Sequence, residues 1–309
     1  MTMLVTGGTG MVGKAIEKIK PEAIFIGSKD FDLTDEKQTS NLFLNHKPKH
    51  VIHLAAKVGG VKSNLDYTGD FYFINSEINN NVLNKAKAFQ VEKVVSLLST
   101  CVYPDVAHIK YPLTEDQLHL GPPHKSNFGY AYAKRMVDVM SRAYRKQYKC
   151  NFITAIPNNL YGENDNFHLQ NSHVIPAIIR KVWEAKINGS DVVKCWGDGS
   201  PLREFTYSQD IAKILLFLLN NYDGPDPINI GNAVEHTISE IVYIICNILE
   251  YDGTIVWQTD KPAGQYRKPS SNQKLLDIGW KKEWYTPLEI GLKKTCDWFR
   301  INYPNVRGV

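Results

Sequence analysis

The segment Thr6-Gly7-Gly8-Thr9-Gly10-Met11-Val12-Gly13 constrains the fold of this chain more than any other. It follows an apolar run at residues 3–6 and opens a helical pattern at residues 12–19. Gly7, Gly10 and Gly13 form G-x-x-G-x-x-G, and Gly8, Gly10 and Gly13 form G-x-G-x-x-G. Such spacing lets the chain turn sharply and bring its backbone close to a diphosphate. The following helix start offers free N–H groups and the positive end of its dipole. Glycines alone are a weak signal; their place between strand and helix makes this one strong.

The first half of the chain continues that alternation. Residues 3–6, 23–26, 50–54, 93–98 and 152–156 read as strands, and 12–19, 34–45, 75–89 and 130–148 as helices. Near-continuous apolar strands alternating with helices imply a parallel sheet covered on both faces. The predicted fold is α/β, a Rossmann-type doubly wound parallel sheet with a smaller C-terminal α+β domain. Residues 1–160 would bind the cofactor, rejoined by about 204–222. Residues 161–203 and 223–309 would bind substrate, with short helices near 173–187, 208–221, 237–250 and 287–302.

An acidic residue closing the second strand would bind a ribose 2′-hydroxyl and favour NAD. Gly27-Ser28-Lys29 stands there, followed by Asp30. A hydroxyl and an ammonium suit a 2′-phosphate, so the expected cofactor is NADP(H). Asp32 is a candidate adenine contact, with a helix cap as its structural alternative.

Charge excludes little by its size, a formal +4 over 309 residues, but more by its pattern. Lys and Arg are interleaved with acids rather than gathered into the stripes of nucleic-acid binders. No nucleic-acid or membrane partner is expected, since the most apolar stretches are short and broken by polar residues. The five cysteines are widely spaced, without a C-x-x-C pair, so no metal is expected and reduced thiols in a cytoplasmic protein are the simplest reading. Met3-Leu4-Val5 runs straight into the glycine turn, with no signal peptide legible before it.

Of the 16 tyrosines only Tyr130 has a lysine, Lys134, four residues on and hence on the same helical face. A neighbouring ammonium favours a phenolate and would make Tyr130 a usable acid or base. Ser99-Thr100-Cys101 follows the strand at 93–98, at the strand end where ligands lie in such sheets. Ser99 is a candidate hydrogen-bond donor to a substrate carbonyl. Cys101 is the oddity, because a cysteine there is more often a small buried apolar residue.

Together with these motifs, Leu54-Ala55-Ala56-Lys57-Val58-Gly59-Gly60, Ser99-Thr100-Cys101-Val102-Tyr103-Pro104, Pro157-Asn158-Asn159-Leu160-Tyr161-Gly162 and Ser172-His173-Val174-Ile175-Pro176 resemble the GDP-L-fucose synthase family of extended short-chain dehydrogenases/reductases. Trp196-Gly197-Asp198-Gly199, Arg203-Glu204-Phe205 and Gly264-Gln265-Tyr266-Arg267-Lys268 extend the resemblance over essentially the whole chain. It implies a homodimer that turns a GDP-linked 4-keto-6-deoxy sugar into GDP-L-fucose by epimerisation at C3 and C5 and NADPH-dependent reduction at C4. It also implies Ser99, Tyr130 and Lys134 as a reductase triad, with Cys101 and His173 as epimerase base and acid. The cofactor would be bordered by Gly7, Gly8, Thr9, Gly10, Met11, Val12, Gly13, Ser28, Lys29 and Asp32. Leu54, Ala55, Ala56, Leu97, Leu98, Ser99, Thr100, Tyr130, Lys134, Pro157, Asn158, Asn159, Leu160 and His173 would complete that border. Lys181, Trp196, Arg203 and Arg267 would hold the GDP-sugar. The Asn158 position departs from the P-T-N-L-Y-G of bacterial members, and the residues after Arg267 are closer to animal-type ones. Rival readings are a 4-epimerase, which would not need Cys101, a 4,6-dehydratase, which would carry an Asp-Glu pair at Cys101-Val102, and a non-catalytic NADP sensor, which would lack the Tyr130/Lys134 pair.

Overall fold

The computed structural model describes residues 2–260 and 266–309. The chain begins β1 (Met3–Thr6), α1 (Met11–Glu17), β2 (Ile24–Ile26), α2 (Glu36–His46), β3 (His50–His53), α3 (Val61–Asp66), α4 (Thr68–Ala88), β4 (Lys93–Leu97), α5 (Phe128–Tyr148), β5 (Phe152–Ile156). It continues β6 (Asn159–Tyr161), α6 (Val174–Ile187), β7 (Val192–Trp196), β8 (Leu202–Tyr207), α7 (Ser208–Asn221), β9 (Ile228–Asn229), β10 (Glu235–Thr237), α8 (Ile238–Leu249), β11 (Thr254–Gln258), α9 (Gln273–Asp277), α10 (Leu288–Asn302).

The large sheet has the order β2-β1-β3-β4-β5-β9, every pair parallel. All four residues of β1 and all five of β5 are buried, as expected of strands covered on both faces. One face packs Val12, Ala15 and Ile16 of α1 against Ile211, Ile214, Leu215 and Leu218 of α7. The opposite face packs Leu42 and Phe43 of α2 with Val82, Leu83 and Ala86 of α4 and Val137 of α5. A separate core forms where α6, α8 and α10 meet β7 and β8, around Ile179, Ile245, Leu292 and Phe299. Around it lie a three-stranded sheet, β10-β8-β6, and a parallel pair, β11-β7.

The structure differs from the sequence expectation in three places. The helix expected from residue 75 starts at Thr68 and is preceded by α3, because the polar stretch around Gly69 hides the periodicity. Ile228–Asn229 lies in the segment expected to bind substrate, yet it is the sixth strand of the large sheet. Leu275, Trp280 and Tyr285 likewise join the core beneath that sheet. Short elements of this kind carry no period of their own. No helix among the described residues is long and apolar enough to cross a membrane.

Candidate active site

The glycine loop is built for close approach. Gly7 has φ +69°, and a Cβ there would lie 2.8 Å from the backbone nitrogen of Ala55. A Cβ on Gly13 would run into the carbonyl oxygen of Gly8. Gly8 N–H donates to Ile26 O at 2.8 Å, tying the loop to β2. Gly10 caps α1 without a side chain, so Met11 and Val12 begin the helix with unscreened amides. Thr9 packs on Gly27, where a Cβ would approach its Oγ1 to 2.5 Å. This cradle of glycine backbone fits a dinucleotide diphosphate.

At the end of β2 the Asp30 carboxylate accepts from Gly27 N–H at 2.7 Å, so the acid closes its own turn. Ser28 and Lys29 are exposed, and Lys29 has no ion-pair partner among the described residues. Asp32 accepts from Thr34 N–H and Oγ1–H, while the α2 cap falls to Asp35. Beyond β3, Leu54 N–H donates to Thr6 O and Ala55 N–H to Thr6 Oγ1; Ala56 continues the same wall.

One buried hydrogen-bond chain links this wall to the tyrosine helix. Thr6 Oγ1 lies 2.7 Å from His53 Nδ1, and His53 Nε2 lies 3.1 Å from Asn79 Oδ1. Asn79 Nδ2 donates to Ala133 O, which leaves its Oδ1 to accept from His53 Nε2–H and sets the tautomer. His53 is 1% exposed, and burial, with Lys134 nearby, lowers its pKa to about 3.

The C-terminal end of β4 gathers the catalytic candidates. Leu97 ends the strand, and Leu98 N–H and Thr100 N–H donate to Ala155 O and Pro157 O. Ser99 Oγ accepts from Cys101 N–H at 3.3 Å. On α5, Lys134 is buried, and its ammonium donates to Leu97 O at 2.8 Å. Burial lowers its pKa to about 8. Tyr130 packs edge-on against Phe71, with ring centroids 6.3 Å apart. Burial raises its pKa, and Cys101 adds to the rise, which places these two groups in one locale. The expected phenolate is therefore not favoured in the free protein: Lys134 turns to a carbonyl and burial favours the phenol.

His173 immediately precedes α6 and is exposed. The surrounding protein lowers its pKa below the ordinary 6.5 by desolvation. The loop before it is fastened to the segment after β3: Gly60 N–H donates to Asn171 O, and Ser63 Oγ–H to Asn171 Oδ1.

Asn158 is a structural hub. It donates to Glu204 Oε2 and Asn232 O and accepts from Thr206 Oγ1–H at 2.6 Å. Asn159 donates to Glu204 O, and Leu160 pairs with Thr206 in the three-stranded sheet. Glu204, 2% exposed, also accepts from Ser270 N–H and Oγ–H. Burial raises its pKa, partly offset by these hydrogen bonds. Sequence alone assigns Glu204 no role, whereas Arg203 beside it is an expected substrate ligand. The strand around it, Leu202-Arg203-Glu204-Phe205-Thr206-Tyr207, is too mixed in polarity to mark the acid as buried.

Among the expected substrate ligands, Arg203 and Arg267 come together around Tyr111 and Glu235. Arg203 Nη1 donates to Leu202 O and Tyr266 O. Arg267 grips Glu235, and both line a cleft of about 480 Å³ with Tyr111, Glu204, Ser270 and Lys282. Lys181 donates to Lys194 O, and Trp196 is 49% exposed at the end of β7; neither lines that cleft. Gly264 and Gln265 lie outside the described residues.

The NAD dependent epimerase/dehydratase family matches residues 3–231. A GDP-L-fucose synthase of Dictyostelium discoideum is 44% identical over 315 residues, 99% of this chain and 97% of that protein. A probable GDP-L-fucose synthase of Drosophila melanogaster is 40% identical over 99% of each chain. The crystal structure of a GDP-L-fucose synthetase from Naegleria fowleri bound to NADP is similar at a TM-score of 0.93 and 41% identity, covering 99% of this chain and 94% of that one.

Proposed function

The chain belongs to the GDP-L-fucose synthase family, within the NAD dependent epimerases/dehydratases, and from that premise we propose that it converts GDP-4-keto-6-deoxy-D-mannose to GDP-L-fucose. The observation that carries this reading is Cys101, its N–H held by Ser99 Oγ just after β4 and its thiol near enough to Tyr130 of α5 to help raise that phenol's pKa, where a plain reductase needs no thiol.

In this reading the C4 ketone acidifies the hydrogens at C3 and C5. Cys101 as thiolate takes a proton from one face, and Ser99 and Tyr130 hold the enolate oxygen by hydrogen bonds. His173 returns a proton to the other face and inverts the centre. Its lowered pKa makes its protonated form a stronger acid and a scarcer one. The hydride for the reduction at C4 would come from NADPH when bound. Tyr130, kept protonated by burial, gives its proton to the C4 oxygen. Lys134, one turn further along α5, would exchange its bond to Leu97 O for the cofactor ribose and so orient the nucleotide beside Tyr130. The glycine loop with Ser28 and Lys29 would hold NADP, and Arg203 and Arg267 the diphosphate of the sugar nucleotide.

The same reading makes the protein a cytoplasmic homodimer, with residues 1–160 and 204–222 on the cofactor side and 161–203 and 223–309 on the substrate side. Exposed Tyr72, Phe73, Phe128, Met136 and Val139 on α4 and α5 support pairing of two copies through these helices. All five cysteines are free thiols, in keeping with a reducing compartment.

The test is to incubate purified protein with NADPH and GDP-4-keto-6-deoxy-D-mannose in deuterated water and to analyse the product by mass spectrometry and NMR. GDP-L-fucose labelled at C3 and C5 is expected. Reduced product without deuterium at either carbon would make the protein a simple 4-reductase.

A further inference from the structure

Glu235 engages only one side of the Arg267 guanidinium. Arg267 Nε lies 2.9 Å from Oε1 and 2.8 Å from Oε2 of Glu235, and Nη2 also donates to Oε2. A guanidinium is a rigid plane with five N–H donors. With Nε and one Nη2 hydrogen held by the carboxylate, the opposite edge, made of Nη1 and the other Nη2 hydrogen, remains. That edge has no partner among the described residues.

Both ends of this pair are fixed by the fold. Glu235 sits in β10, opposite Glu204 in antiparallel register with β8, and its side chain is 15% exposed. The backbone of Arg267 is held by Tyr111, whose hydroxyl donates to Arg267 O at 2.8 Å. The neighbouring residues are fastened too: Leu202 N–H donates to Tyr266 O, and Ser270 donates to the buried Glu204. The Arg267 side chain itself is 49% exposed, so without Glu235 it would sample many rotamers.

We propose that Glu235 is a positioning residue for sugar-nucleotide binding: it holds Arg267 with its free edge toward the cleft, ready to grip the diphosphate in bidentate fashion. The inference rests on the reading of Arg267 as a diphosphate ligand. The cluster of Arg203, Arg267 and Glu235 keeps one net positive charge, which suits an anion, while the acid supplies order rather than repulsion. Glu235 touches no reacting atom in this scheme.

The experiment measures the affinity of GDP by titration calorimetry for the parent protein, Glu235→Ala, Glu235→Gln, Arg267→Ala and the double variant, with NADP affinity as the control for folding. Arg267→Ala is expected to weaken GDP binding about tenfold, as loss of a bidentate anion contact. Glu235→Ala should weaken it roughly fivefold in the parent and not at all in the Arg267→Ala background, the mark of two residues acting as one unit. Glu235→Gln, which keeps one acceptor, should fall between. NADP affinity should be unchanged throughout. If Arg267→Ala weakens GDP binding but Glu235→Ala leaves it unchanged or tightens it, the positioning role is overturned while the Arg267 reading stands. An equal loss from Glu235→Ala in both backgrounds also overturns it. Unaltered GDP affinity in Arg267→Ala overturns the underlying reading and the inference together.

Discussion

The Lys134 ammonium donates to the carbonyl oxygen of Leu97, not to the phenol of Tyr130 one turn away. A cation 3% exposed and satisfied by one carbonyl is held at a cost, and its pKa falls to about 8. Below that pH the folded protein carries the full cost. Between pH 8 and 10.5 the unfolded chain binds more protons than the folded one, so stability rises with pH. Lys134→Met should therefore stabilise the protein at pH 7 by on the order of 2 kcal/mol, with the gain fading by pH 10. Reductase activity should collapse in the same variant. Urea unfolding at the two pH values measures the difference; a variant less stable at both would mean that the Leu97 hydrogen bond outweighs the buried charge.

His53 gives the opposite window. Its pKa is lowered to about 3, so between that value and 6.5 the unfolded chain takes up a proton that the folded protein refuses. Stability should fall as pH drops through that range. His53→Leu should be less stable at pH 7, because Thr6 and Asn79 lose their partner. It should also lose on the order of 2 kcal/mol less than the parent between pH 7 and pH 5. Equal losses in both proteins would show that another group governs acid unfolding.

Cofactor choice is expected to turn on Lys29. Asp30 is engaged by the Gly27 amide, whereas Lys29 stands exposed beside Ser28. Lys29→Glu should cut the preference for NADPH over NADH by about tenfold or more, since a charge-assisted phosphate contact becomes a repulsion. Steady-state kinetics with both cofactors would decide it, and an unaltered ratio would place the 2′-phosphate elsewhere.

Epimerisation and reduction should separate by mutation. Cys101→Ser replaces a thiol with a hydroxyl, a far less acidic group and a far poorer proton acceptor for this step. Solvent deuterium at C3 and C5 should drop by about two orders of magnitude or more, while slow reduction of the unepimerised ketone persists. Tyr130→Phe should abolish NADPH oxidation and leave some carbon–hydrogen exchange. Epimerisation by Cys101→Ser at the parent rate would make the cysteine a packing residue.

The chain was most legible where local periodicity and local function coincide. The bounds of β1, β5 and α7 follow from apolar pattern alone, and the glycine loop carries its own geometric reason in Gly7 and Gly13. Tyr130 and Lys134 were legible as a helical pair, but the acceptor of Lys134 lies 37 residues away and is set by packing. The Arg267–Glu235 fork, 32 residues apart, was likewise invisible, and so was Glu204 as a joint between Asn158 and Ser270. The two-residue β9 has no pattern to read; its partner β5 defines it.

That small strand has a practical consequence. The core under the large sheet draws on residues near 3–16, 52, 95, 153–155, 211–230 and 275–285, and the separate core draws on 161–207, 241–251 and 288–306. No single cut can therefore release either half intact. A fragment ending at 160 would lack α7 and β9 and would leave Ile16, Val95, Ile153 and Ala155 without cover. Exchanging substrate specificity between relatives by grafting would need several splice points rather than one, and chimaeras joined at a single junction should come out insoluble.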